Sequence, residues 1–162
     1  MSDDEKVRAG VSESQMRSTF IHLVFGDDPA RYERFCAAIS EGVPPDVAAV
    51  VRGSAVTGFR RNTDIPFDAD GPHTSDIDLT LVGATAVTWF APDGFYIADL
   101  HSKPLSDKEP EIAPGLVPLR EKLSAMVGRP VNIQATRNWI MFVREYLMGQ
   151  PYLKLFGKLE PA

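Results

Sequence analysis

Apolar positions along the chain change period several times, and those changes divide it into elements. Met16, Phe20, Leu23 and Val24 recur at helical spacing and predict a helix over 13–25, capped by Ser12 or Ser14 and stopped at Gly26. Asp28 at the N-cap and Pro29 at the first helical position predict a second helix to about Ser40, with Tyr32, Phe35, Cys36 and Ile39 on one stripe. Val47 to Val51 is an unbroken, β-branched apolar run, too short for a helix, and predicts a buried strand. Residues 62–74 are rich in Asp, Pro and Gly and show no period, which predicts a long loop. A strand follows over 76–82. Thr85–Ala91 and Phe95–His101 flank Asp93-Gly94 and predict a β-hairpin.

Leu116, Leu119, Leu123, Met126 and Val127 predict a helix with Pro118 in its first turn and Gly128 as its stop. A short strand over 130–136 comes next. Asn138 caps a last helix to about Met148, with Trp139, Ile140, Phe142, Val143, Tyr146 and Leu147 on a wide apolar face. Residues 149–162 form an apolar tail, expected to fold back on the core or to meet a protein partner. No internal repeat is visible, and the pattern is that of an α+β chain.

Composition narrows the class. A chain of 162 residues, 44% hydrophobic and 24% charged, suits one globular domain over 1–162, with residues 1–11 an acidic, mobile leader. That leader lacks the apolar core of a secretory signal, and no run is long enough to span a bilayer, so a cytoplasmic protein without membrane contact is expected. Cys36 is the single cysteine, which fits a reducing compartment. The net charge of −5 is uneven: residues 1–114 hold 10 Lys+Arg against 19 Asp+Glu, and residues 115–162 hold 7 against 3. The C-terminal excess reads either as ordinary fluctuation or as a basic edge for a polyanion such as RNA.

The chemistry concentrates between Val47 and Val82. Asp76 and Asp78, two apart on a strand, share one face, while Ile77 and Leu79 point into the core. Adjacent carboxylates repel, and a divalent cation is the simplest way to offset that repulsion. Upstream, the first strand runs into Gly53-Ser54, where a glycine lets backbone N–H groups approach a phosphate closely.

An apolar strand ending in Arg-Gly-Ser, a basic loop, and then Ser-Asp-Ile-Asp-Leu on the next strand resembles the nucleotidyltransferase superfamily of DNA polymerase β in its small single-domain form. The long insert before Ser75-Asp76-Ile77-Asp78 also looks similar to the toxin-like nucleotidyltransferase domains of bacterial polymorphic toxins. The resemblance covers about residues 46–82 and 116–136. It implies a nucleotidyltransferase fold, a mixed twisted sheet flanked by helices with an inserted β-hairpin. It also implies that Gly53 and Ser54 hold the triphosphate and that Asp76 and Asp78 ligate a pair of Mg2+ (or Mn2+) ions. The family's third carboxylate, on the strand after the helix, corresponds here to Asn132. An amide does not accept a proton at neutral pH, though its oxygen can coordinate a metal or orient a hydroxyl. Asp99, on the hairpin, is the substitute considered.

The expected function is therefore metal-dependent transfer of a nucleoside monophosphate from an NTP to a hydroxyl of RNA (tRNA among them), protein or a small molecule. The alternative is a catalytically impaired nucleotide- or RNA-binding member or a toxin–antitoxin component. Asp76, Asp78 and Asn132 form the expected catalytic set, and Gly53, Ser54, Arg60, Arg61 and Ser75 the nucleotide-binding set. Arg60 and Arg61 read either as phosphate ligands or as solvated loop cations. Asp64, Asp68 and Asp70 read as a solvated acidic loop and His73 as incidental. Trp89, Phe90, Phe95 and Tyr96 read as hairpin core, with base stacking the minority reading. His22 and His101 carry no partner pattern.

Overall fold

The computed structural model describes residues 12–159; the expected leader and the last three residues of the tail lie outside them. Helices α1 (Glu13–Phe25) and α2 (Pro29–Glu41) lead into strand β1 (Ala48–Arg52) and a single helical turn α3 (Ser54–Thr57). Strands β2 (Ile77–Val82), β3 (Phe95–Ile97) and β4 (His101–Ser102) follow, then α4 (Val117–Val127), β5 (Val131–Thr136), the short α5 (Trp139–Phe142) and β6 (Tyr152–Phe156). The α1 cap is a capping box in which Ser12 accepts from the Gln15 N–H and Gln15 reaches back to the Ser12 N–H.

The six strands form one sheet in the order β3-β4-β5-β2-β1-β6. It is mixed: β2 and β5 run parallel, joined by a crossover that contains α4, and the other neighbours are antiparallel. The fold is thus α+β, with helices against a six-stranded sheet.

Strand alternation gives the sheet two unlike faces. Val51, Leu79 and Ile133 lie side by side in register and share the main core with Phe20 and Phe35 of the first two helices and Leu123 of α4. The opposite face carries three rungs: Arg52–Asp78–Asn132, then Val50–Thr80–Gln134, then Ala48–Val82–Thr136. Trp139, Phe142 and Leu147 cover Ala48, Val50 and Val82 at the apolar end. Charge therefore gathers at the other end, where β1 leaves the sheet and β2 enters it.

Two expectations need correction and one open alternative is decided. The hairpin turns at 98–100 instead of at Asp93-Gly94. Pro92 fixes φ and draws Pro92–Gly94 into a 3-10 turn, Gly94 packs where a Cβ would come 2.9 Å from Ile112, and the positive φ the hairpin needs falls on Asp99 (φ 59). The segment before it is also a 3-10 turn, Ala86–Trp89: its buried positions Ala86, Val87 and Phe90 are spaced for a helical turn and do not alternate. Next, the last helix is α-helical only to Phe142 and continues as a π-helix over Val143–Leu147, a wider turn that stacks the Phe142 and Tyr146 rings 4.9 Å apart. Last, of the two outcomes expected for the tail, folding back on the core is the one observed, as an element of the sheet. Tyr152–Phe156 pairs along β1, with Leu153 fully buried, so the core accounts for its apolar character.

Candidate functional site

Gly53 ends β1 with φ 89 and ψ −162, a conformation open to glycine, and its carbonyl starts α3 by accepting from the Val56 and Thr57 N–H groups. A Cβ on Gly53 would lie 3.2 Å from Asp78 Oδ2. The turn and the second carboxylate are therefore close neighbours, with room between them for no more than a hydrogen. Ser54, half-buried, opens α3, whose first N–H groups have no acceptor within the turn.

Asp78 sits in β2 between Arg52 on β1 and Asn132 on β5. Asp76, one step before the strand, is exposed, and Asn132 Nδ2 donates to its Oδ2 at 3.0 Å. The structure thus brings Gly53, Asp76, Asp78 and Asn132 together at one strand edge. Burial pushes the Asp78 carboxyl above the usual range, the nearby Arg52 charge opposes that, and the Asp76 charge adds to it. Among the described residues no group of three or more His, Cys, Asp or Glu side chains is placed to hold a metal ion. Asn132, in register with Asp78, brings an amide and no third carboxylate to the pair.

Arg52 was not singled out by its sequence position, yet it is the charged neighbour of the pair. Its Nη2 donates to Gln134 Oε1 at 3.1 Å, and its guanidinium carbon lies 5.1 Å from the Tyr146 ring centroid. Tyr146 in turn stacks on the exposed Tyr96 at 5.9 Å, which takes Tyr96 out of the hairpin core that holds Phe90. The signal for Arg52 was available: it directly precedes Gly53 and falls on the Asp78 face by alternation.

Arg60 and Arg61 line a cleft of about 290 Å3 together with Gly53 and the turn from Met148 to Pro151. Arg60 is tied to Asp70, Nη2 to Oδ2 at 2.6 Å, in a small hairpin-like excursion closed by the Phe59–Pro66 bridge. Arg61 is exposed on the rim.

Ser75 is buried and committed to the loop. Its Oγ accepts from the Asp68 N–H at 2.8 Å, and its own N–H donates to Asp68 Oδ1 at 2.9 Å. Asp68 is correspondingly no solvated loop acid. Arg129, buried on the turn after α4, grips both its oxygens (2.7 and 3.0 Å), donates to the Ser75 carbonyl and stacks over Phe67. Burial opposes ionisation of Asp68, but the hydrogen bonds from Arg129 and the Ser75 N–H, with the Arg129 charge, outweigh it and hold the carboxyl at about 2. This clamp fixes the chain directly in front of Asp76.

Asp99 is not placed beside Asp76, Asp78 and Asn132. It lies in the β3–β4 turn, and β4 meets β5 at Thr136, four residues from Asn132 and so about 13 Å along the strand. Both histidines without an expected partner have one: His22 meets Asp27, and the buried His101 meets Thr136 at 2.8 Å. Of the seven C-terminal cations, Arg120 and Arg129 are buried. Among the described residues no helix is long and apolar enough to cross a membrane. Comparison with family models, with curated proteins and with solved structures finds no match.

Proposed function

We propose that this chain has a nucleotidyltransferase fold and binds a nucleoside triphosphate with a divalent cation at the edge formed by Gly53, Asp76 and Asp78, passing the nucleoside monophosphate to a hydroxyl. The observation that carries the reading is the closeness of the two halves of the motif: a Cβ on Gly53 would lie 3.2 Å from Asp78 Oδ2. A phosphate held by the backbone at Gly53-Ser54 is then beside the carboxylates. Asp76 and Asp78 would hold Mg2+ or Mn2+, which when bound neutralises phosphate charge and orients the reacting oxygens. In phosphoryl chemistry, positioning and charge supply most of the rate, and this chain offers a rigid turn and strand for the first and Arg52, Arg60 and Arg61 for the second. Acceptors of matching chemistry are the 3′ end of an RNA such as tRNA, a protein hydroxyl or a small metabolite, in the cytoplasm.

A second reading is favoured by one specific observation: Asn132 donates a hydrogen bond to Asp76 where an acid would take a proton. In that reading the chain binds nucleotide or RNA without transfer, as an impaired member or a toxin–antitoxin component. Incubation with labelled NTPs, Mg2+ or Mn2+ and a cell extract separates the two. The first reading expects label on an acceptor from the native chain and none from Asp76→Ala or Asp78→Ala. Label that survives both substitutions removes the site. A silent native chain that Asn132→Asp switches on, with unchanged nucleotide binding, establishes the second.

A further inference from the structure

We propose that the site takes a single divalent cation per chain, held by Asp76 and Asp78, and that the Arg52 guanidinium supplies the fixed positive charge a second cation would otherwise bring. This rests on the nucleotide-binding reading above and specifies the metal content of that site.

The first ground is the donor set. Two cations about 3.5–4 Å apart need carboxylate oxygens to share between them, and Mg2+ demands six well-placed ligands. Asp78 and Asp76 are the acids at this edge, and Asn132, in register with Asp78, turns an N–H donor to Asp76 Oδ2 at 3.0 Å. One of the four carboxylate oxygens is therefore already engaged, and the residue engaging it brings no charge. Three carboxylate oxygens remain free, a set that suits one ion.

The second ground is Arg52. It occupies the rung beside Asp78 on β1, and an arginine stays charged at any working pH. Its guanidinium is held from two sides, by Gln134 Oε1 and by the Tyr146 ring, so its position is set before anything binds. Its Nε is buried without a hydrogen-bond partner among the described residues.

Charge counting agrees. One divalent cation against two carboxylates and one guanidinium leaves a single excess positive charge to meet a polyphosphate. Two such cations leave three excess charges packed at one strand edge, where like charges repel strongly. With aspartate at 132 and no guanidinium at 52, two cations would leave the same single excess as one cation does now.

Equilibrium dialysis with Mn2+ and the αβ-methylene analogues of ATP, GTP, CTP and UTP, with protein-bound manganese counted by electron paramagnetic resonance, tests this. The native chain is expected to hold one Mn2+ per bound nucleotide and the Arg52→Gln/Asn132→Asp double variant two. Asn132→Asp alone, with Arg52 in place, is expected to take its second ion at least tenfold more weakly than the double variant. Two ions on the native chain overturn the proposal while leaving the nucleotide site standing, and a folded double variant that holds only one overturns it as well. No manganese-dependent retention of any analogue by the native chain overturns the nucleotide-binding reading and this proposal together. The native count decides the matter even if a variant fails to fold.

Discussion

Asn132 Nδ2 lies 3.0 Å from Asp76 Oδ2, joining the start of β5 to the residue that precedes β2. The bond makes Asn132 a stabilising neighbour of a carboxylate where a third carboxylate would be a repulsive one. Asn132→Asp should therefore lower the stability of the metal-free chain by about 1–3 kcal/mol, from the lost charge-assisted bond and the added like charge. Thermal unfolding with and without Mg2+ checks this. The variant should regain stability on adding Mg2+ by more than the native chain does.

Asp78→Asn should stabilise the ligand-free fold near neutral pH while abolishing metal-dependent nucleotide binding. The Asp78 carboxyl is raised by burial and by the Asp76 charge, against Arg52. A carboxyl whose folded value exceeds its unfolded one penalises the fold at high pH and not below the unfolded value of about 3.9. The gain in Tm from the substitution should thus be present at pH 7 and vanish as the pH falls toward 4. Denaturation at both pH values, beside nucleotide affinity reduced at least tenfold, is the measurement.

The Asp68–Arg129 clamp predicts the opposite sign. The Asp68 carboxyl is depressed from 3.8 to about 2, worth roughly 2–3 kcal/mol at neutral pH. That stability is complete above the unfolded value and is lost as the pH falls through the folded one, so it disappears between about pH 4 and pH 2. Asp68→Asn should flatten the acid limb of the stability profile. Arg129→Met, which leaves a half-buried carboxylate unpaired, should cost about 3 kcal/mol in urea unfolding at pH 7.

Gly53→Ala should affect both fold and ligand. The φ of 89 is strained for any residue with a Cβ, at a cost of about 1–3 kcal/mol, and the added methyl comes 3.2 Å from Asp78 Oδ2. Unfolding should show that loss. Nucleotide affinity should fall by at least tenfold even where the variant is fully folded.

Much of this arrangement was legible in the sequence because it rests on period and on punctuation. Asp28-Pro29, Gly26 and Gly128 mark helix ends by backbone chemistry alone, and each stands at its cap. Alternation along β2 places Asp78 on the face opposite Ile77 and Leu79. What the sequence hid depends on distant partners. Asp93-Gly94 carries the local signature of a hairpin turn, but Pro92 before it and the close packing against Ile112 move the turn to Asp99. Asp68 looks like any loop acid until Arg129, 61 positions away, is folded onto it. The tail left two outcomes open in the sequence because the strand it pairs with, β1, lies roughly a hundred residues earlier. Of the site, Gly53, Asp76, Asp78 and Asn132 could be named from the chain, whereas the tether of Arg52 to Gln134 and Tyr146 needed the register of three strands and the π-helical turn.

Calorimetric titration of ATP, GTP, CTP and UTP into the native chain with and without Mg2+, repeated on Asp76→Ala and Asp78→Ala, tests the central claim most directly. At least one nucleotide should bind the native chain only in the presence of Mg2+, and each substitution should weaken that binding at least tenfold. No Mg2+-dependent binding of any nucleotide, or equal binding by the two variants, would contradict a metal and phosphate site at this strand edge.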